Sequence, residues 1–158
     1  LGTTACIEME LPAHSAKILK VEGRRTEPVL YEAEWGYCPA FTAIAGTGCK
    51  YVPVEGASGR AVAMNLGGSP ENCLEWKDVH SRRGGDYVLS LTVAKGDAVE
   101  AVRLEVNGKP AVVNAVVEND SYAVLSFPCT LKKGSNRVRV WNDSLALPAI
   151  DKLTLKRL

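Results

Sequence analysis

The sequence predicts an all-β protein built as a two-sheet antiparallel β-sandwich. Apolar residues alternate with polar ones along most of the chain, while the helical period is nearly absent. Glycine-rich turns separate the alternating runs at roughly 8–12 residue spacing, the rhythm of a sandwich. The 158 residues suffice for one packed core and are too few for two ordinary domains.

Taken in order, Ile7, Met9 and Leu11 alternate with Cys6, Glu8 and Glu10, a half-buried strand. Pro12–His14 breaks it, and Ser15–Val21 resumes it, so residues 1–23 read as a terminal hairpin. Gly23–Pro28 is polar, charged and proline-terminated, which marks residues 24–30 as a linker and 31–158 as the sandwich. Val29–Tyr37 is an apolar strand followed by the alanine- and glycine-rich loop Pro39–Gly48. Tyr51–Val54 and Arg60–Leu66 flank the turn Gly56–Gly59. Cys73–Val79 leads through Arg82–Gly85 into Asp86–Ala94, where Tyr87, Leu89, Leu91 and Val93 share one face. Val102–Val106 and Ala111–Val117 flank Asn107-Gly108, a pair suited to a tight hairpin because both residues tolerate positive φ. Tyr122–Leu131, Arg137–Trp141 and Leu153–Arg157 complete the strands.

Nineteen lysines and arginines nearly balance eighteen aspartates and glutamates, so neither nucleic acid nor an anionic membrane is expected as partner. No apolar run approaches a membrane span. The five cysteines form no C-x-x-C pair, which argues against zinc. Cys38 and Cys49, bracketing a short loop, are the one pair considered for a disulfide, with free thiols the favoured state.

From Tyr31 onward the pattern resembles carbohydrate-binding modules of the family 6 and 35 type, the jelly-roll, galactose-binding-like sandwiches. The motifs are Tyr31-Glu32-Ala33-Glu34, Gly59-Arg60-Ala61-Val62, Leu66-Gly67-Gly68, Leu74–Val79 with Gly85–Leu89, Val106-Asn107-Gly108, Leu131–Asn136 and Pro148–Asp151, in that order. Upstream, Glu10–Lys20 is similar to the closing strands of the β-domain of family 27 α-galactosidases. Together these resemblances imply a non-catalytic module. It would lie C-terminal to a secreted, periplasmic or cell-surface glycoside hydrolase of α-galactosidase-like type. Its partners would be an oligo- or polysaccharide, galactose-containing glycans among them, and the parent's catalytic domain. The alternative is a structural domain of the same fold that packs on the parent without binding sugar.

Glu32 and Glu34 stand two apart in the expected strand, which points both carboxylates to one face about 6–7 Å apart. Like charges that close favour a shared cation or a raised pKa; two solvated edge-strand glutamates are the bland reading. The resemblance implies a structural calcium held by Glu32, Glu34 and Asp151, and calcium takes such hard oxygen ligands. Paired carboxylates also serve glycoside hydrolysis, but there they flank a cleft rather than share a short strand, so no catalytic residue is assigned.

Sugar recognition needs an aromatic platform and a few polar groups for the hydroxyls. The resemblance implies a cleft among the loops at one end of the sandwich, with Tyr122, Asn142, Asp143 and Asn65 as candidates. Met64 and Ala149 depart from the family pattern, where an aromatic and an asparagine are usual, so the cleft is altered, shifted or absent. Trp141 is out of phase with Val138 and Val140, hence a binding platform or, slightly preferred, a surface covered by the N-terminal hairpin. Trp35, Trp76 and Tyr87 are expected in the core.

Overall fold

The computed structural model describes residues 27–40 and 48–158, together with positions 12, 13 and 16. The expected N-terminal hairpin and most of the expected linker lie outside the described residues. Among the described residues the strands are β1 (Leu30–Glu32), β2 (Lys50–Pro53), β3 (Ala61–Met64), β4 (Leu74–Ser81), β5 (Gly85–Ala94), β6 (Arg103–Val106), β7 (Lys109–Ala111), β8 (Ala115–Glu118), β9 (Tyr122–Leu131), β10 (Gly134–Trp141) and β11 (Ile150–Arg157). One sheet runs β2-β3-β11-β5-β9-β8, with β1 also pairing to β11; the other runs β4-β10-β6-β7. Helical structure among these residues is confined to short 3-10 turns. The expected all-β sandwich is the fold observed.

The alternation read from the sequence becomes the core. On β5, Tyr87, Leu89, Leu91 and Val93 are buried, and they meet Ala123, Leu125 and Phe127 of β9 and Leu153 of β11 on the same inner face. Across the gap stand Leu74, Trp76 and Val79 of β4, Leu104 and Val106 of β6, and Val138 and Val140 of β10. Each such large side chain contributes about 1.5–3 kcal/mol by leaving water. Trp76 and Tyr87 are core residues, as expected. The Asn107-Gly108 turn joins β6 to β7 with φ of 52° and 81°, and Val106 faces Lys109 across it.

Two expected strands are corrected. Ala111–Val117 is not one strand: β7 and β8 belong to different sheets, and residues 112–114 carry the chain between them. An apolar run at a sheet crossover looks like one strand because the residues at both of its ends are in strands. Val29–Tyr37 is also interrupted, since β1 stops at Glu32 and a 3-10 turn occupies Ala33–Trp35. A turn of three residues breaks the period of two. Trp35 therefore swings outward and is 64% exposed, which overturns its expected place in the core.

Gly36 explains where the chain goes next. A side chain there would put its Cβ 2.5 Å from Leu74 Cδ1, so only glycine lets the backbone pass this close to β4. Tyr37 then bridges to Glu75, each N–H donating to the other's carbonyl at 2.7 and 2.9 Å. That bridge and the start of β2 bring Cys38 and Cys49 to a Cα separation of 6.1 Å, and the two are joined by a disulfide. The expectation of free thiols is corrected for this pair. Cys73 and Cys129 remain thiols. Burial, then the charge of Asp86, pushes the Cys129 thiol up to about 11, so it is not a thiolate at neutral pH.

Glu27, in the segment read as a linker, is tied to the sandwich. Its carboxylate accepts from the Arg82 N–H at 3.0 Å and from the Tyr87 hydroxyl. Burial opposes its ionisation, but the bonds from Tyr87 and Arg82 and the charges of Arg157 and His80 outweigh burial and hold its pKa below the ordinary 4.5. A depressed folded-state pKa means that the ionised carboxylate favours the native state. That contribution is fully present above pH 4.5 and is lost as pH falls through the lower folded value. Glu27→Gln is therefore expected to lower the urea midpoint at pH 7 and to match wild type near pH 2. An equal deficit at both pH values would contradict this linkage.

Candidate functional site

The acids assemble where the first and last described strands meet. β1 pairs antiparallel with β11, setting Glu32 opposite Lys152. The pairing of β11 with β5 shifts register between Ile150 and Lys152, leaving Asp151 as the extra residue of a bulge. A bulge re-aims a side chain, and Asp151 is 3% exposed. Glu32 ends β1 and is also buried, while Glu34 follows on the 3-10 turn. The geometric premise of two acids on one strand face is thus corrected. The two are brought together by the turn instead.

Their meeting point is the Ser58-Gly59 turn ahead of β3. The Ser58 N–H donates to Asp151 Oδ1 at 2.8 Å, and its hydroxyl donates to Glu32 Oε1 at 2.8 Å. Gly59 has φ of 61°, and an added Cβ would lie 2.0 Å from Glu34 Oε1 and 3.1 Å from Glu32 Cδ. Glycine is required here for both conformation and space. Lys152 Nζ, 3.5 Å from Asp151 Oδ2, supplies one positive charge against the three acids. Trp76 Nε1 donates to the Glu32 carbonyl at 2.9 Å and so clamps the end of β1 to β4. Burial, then the charge of Glu34, raises the pKa of Tyr51, whose hydroxyl donates to the Gly36 carbonyl at 2.7 Å.

Glu32 Oε2 and Glu34 Oε2 are buried with no hydrogen-bond partner. An unpaired buried carboxylate oxygen is costly, and a cation relieves it. All the side-chain donors are hard oxygens, the set that suits calcium and does not suit zinc or copper. Ser58 bonds Glu32 and Asp151, while Glu34 lies against Gly59. Among the described residues no three His, Cys, Asp or Glu side chains are already placed to hold a metal ion. The residue types and the orphaned oxygens fit a calcium; closure of the three carboxylates about a common point is not part of the arrangement. Sequence reasoning missed Ser58 and Gly59, whose only signal was the glycine-bounded turn.

The four residues expected to bind sugar differ in exposure and in their bonds. Asn142 is 2% exposed, its amide donating to the Ala101 carbonyl and its Oδ1 accepting from the Ser144 and Leu145 N–H groups. It braces the loop, with one amide N–H and the side-chain oxygen engaged inside the protein. Asp143 is exposed and lies 3.6 Å from Arg103. Asn65 is exposed with φ of 57°, and its carbonyl accepts from Asn72. Tyr122 opens β9 opposite Ala94, half-buried, its N–H held by Asn119 Oδ1 at 2.8 Å. Trp141 faces outward, as its phase predicted, with Arg139 and Arg103 5.1 and 5.9 Å from its ring. The N-terminal hairpin expected to cover it lies outside the described residues.

Comparison with solved structures bears on this geometry. A family 35 carbohydrate-binding module from Clostridium thermocellum superposes with a TM-score of 0.58 at 23% identity, over 80% of this chain and 96% of that one. The chain has the fold of the family 35 modules. The exo-β-1,3-galactanase of Phanerochaete chrysosporium matches with a TM-score of 0.58 at 24% identity, and the β-(1,4)-mannanase of Podospora anserina, which carries a family 35 module, with 0.61 at 23%. Those matches cover 83% and 85% of this chain but only 29% and 28% of the two enzymes. No family model matches the sequence, and no curated protein is significantly similar to it. The acid cluster joins the first and last described strands of that fold.

Proposed function

We propose that the chain is a non-catalytic carbohydrate-binding module, stabilised by calcium at Glu32, Glu34 and Asp151. The observation that carries this reading is the family 35 fold, shared over 96% of the chain of a carbohydrate-binding module from Clostridium thermocellum. The acid cluster supports it: the carboxylates are buried under Ser58 and Gly59 rather than spread across an open cleft, which suits a structural ion better than general acid–base work. Bound calcium would neutralise the acids and hold the first and last described strands together, with backbone carbonyls completing its shell. The chain's own residues do the rest: Ser58 orients Glu32 and Asp151, and Gly59 admits Glu34.

The module would accompany a glycoside hydrolase outside the cell. Sandwiches of this fold occur within a galactanase and a mannanase, and the Cys38–Cys49 disulfide suits an oxidising compartment. The similarity of Glu10–Lys20 to family 27 α-galactosidases supports that type of parent, and galactose-containing glycans are the first ligands to test. Calorimetric titration of the chain with galactosides, xylans and uronates, in calcium-containing buffer, is expected to show weak saturable binding to at least one class. Silence towards all of them would leave the second reading, a structural domain that packs on its parent. The internal commitment of Asn142 and the ion pair of Asp143 favour that alternative.

A further inference from the structure

Among the described residues, the well-exposed aromatic side chains are Trp35 and Tyr37. They are 64% and 49% exposed, and both line one cleft of about 210 Å³ beside β4. Tyr31 and Trp76 form its buried floor, and Lys77 and Asp78 stand on its rim. A volume of this size is below the usual range for drug-sized ligands and suits a single sugar ring.

We propose that this cleft is a saccharide subsite in which the apolar face of one neutral pyranose ring stacks on Trp35. The inference rests on the carbohydrate-binding reading and specifies where the sugar sits. Exposing an indole to water is unfavourable, and a pyranose presents the matching C–H face. Tyr37 is a wall rather than a second platform, because Lys77 Nζ lies 3.4 Å from its ring centroid and covers one face. That contact also fixes the ring. Charge argues for a neutral ligand. Glu75, beneath the rim, is ion-paired to Arg137, and Lys77 and Asp78 carry opposite signs. A uronate would gain little from such a balanced site.

The platform is held before any ligand arrives. The Tyr37–Glu75 bridge, the Cys38–Cys49 disulfide and the Tyr51 hydroxyl on the Gly36 carbonyl anchor the turn on its C-terminal side. Trp76 on the Glu32 carbonyl anchors the other side. Little ordering is left to oppose binding. Glu34 and Trp35 are neighbours on one 3-10 turn, so the acid cluster and the platform share a support.

The test is calorimetric titration of the full chain with neutral gluco-, galacto-, manno- and xylo-oligosaccharides and with a uronate oligomer. Trp35→Ala is expected to weaken the best neutral ligand about tenfold or more, with partial recovery in Trp35→Phe and an unchanged urea midpoint. Tyr37→Ala is expected to lose less. If the wild type binds sugar and Trp35→Ala keeps its affinity, or Tyr122→Ala loses it instead, the subsite is overturned while the carbohydrate-binding reading survives. Preference for the uronate overturns the ligand class. If no saccharide binds the wild type, both readings fall together.

Discussion

Calcium added to metal-stripped protein is expected to raise its unfolding midpoint, and chelation to reverse the gain. A ligand that binds only the native state stabilises it by about 2.7 kcal/mol at one hundred times its Kd. The response should vanish in Asp151→Asn and in Glu34→Gln, each of which removes a charged ligand. The two variants differ without metal. Asp151 accepts the Ser58 N–H and faces Lys152, so its replacement costs stability in either state. Glu34 Oε2 has no hydrogen-bond partner, so Glu34→Gln should leave the metal-free protein as stable as wild type or more so. A glutamine nearly matches the shape that Gly59 accommodates and removes one of three crowded charges. Urea titrations with and without calcium measure all four quantities. A midpoint indifferent to calcium would remove the metal and leave Ser58 as the reason the acids converge.

Asn136→Ala is expected to cost about 3 kcal/mol, the largest single loss among the polar residues. Asn136 is 1% exposed and lies where the β10–β4 pairing shifts register. Its amide nitrogen donates to the carbonyls of Val79, Lys132 and Gly134, and its Oδ1 accepts from the Lys132 N–H and from Asn107 Nδ2. Asn107 in turn accepts the Arg137 N–H, so one side chain couples the β6–β7 turn to the β9–β10 turn. Truncation orphans the Val79 carbonyl in the core while water repairs the exposed turn at Lys132 and Gly134. Asn136→Asp should be worse, because a carboxylate there faces carbonyl oxygens. A loss below about 1 kcal/mol in urea unfolding would mean that the turns hold without their shared amide.

Much of the architecture was legible because its signals are local. The phase of Tyr87, Leu89, Leu91 and Val93 marks the core face of β5 without reference to any other strand. Asn107-Gly108 marks its hairpin by backbone chemistry alone. The acids were legible by likeness to a family rather than by geometry, and the strand on which they were expected to align ends at Glu32. Trp35 was misread for the same reason. A period of two was extended through a turn that has a period of three. Nothing near Asn142 in sequence reveals that its amide reaches the Ala101 carbonyl.

By itself, then, the sequence determined the fold class, most strand positions and the inward face of the long strands. Tertiary structure alone decided that Asp151 bulges inward, that Ser58 and Gly59 receive the acids, that Cys38 reaches Cys49 and that Trp35 faces water. The division has a physical cause. Hydrophobic alternation and turn chemistry act between residues a few positions apart, whereas a polar side chain's fate depends on which distant atom arrives to satisfy it.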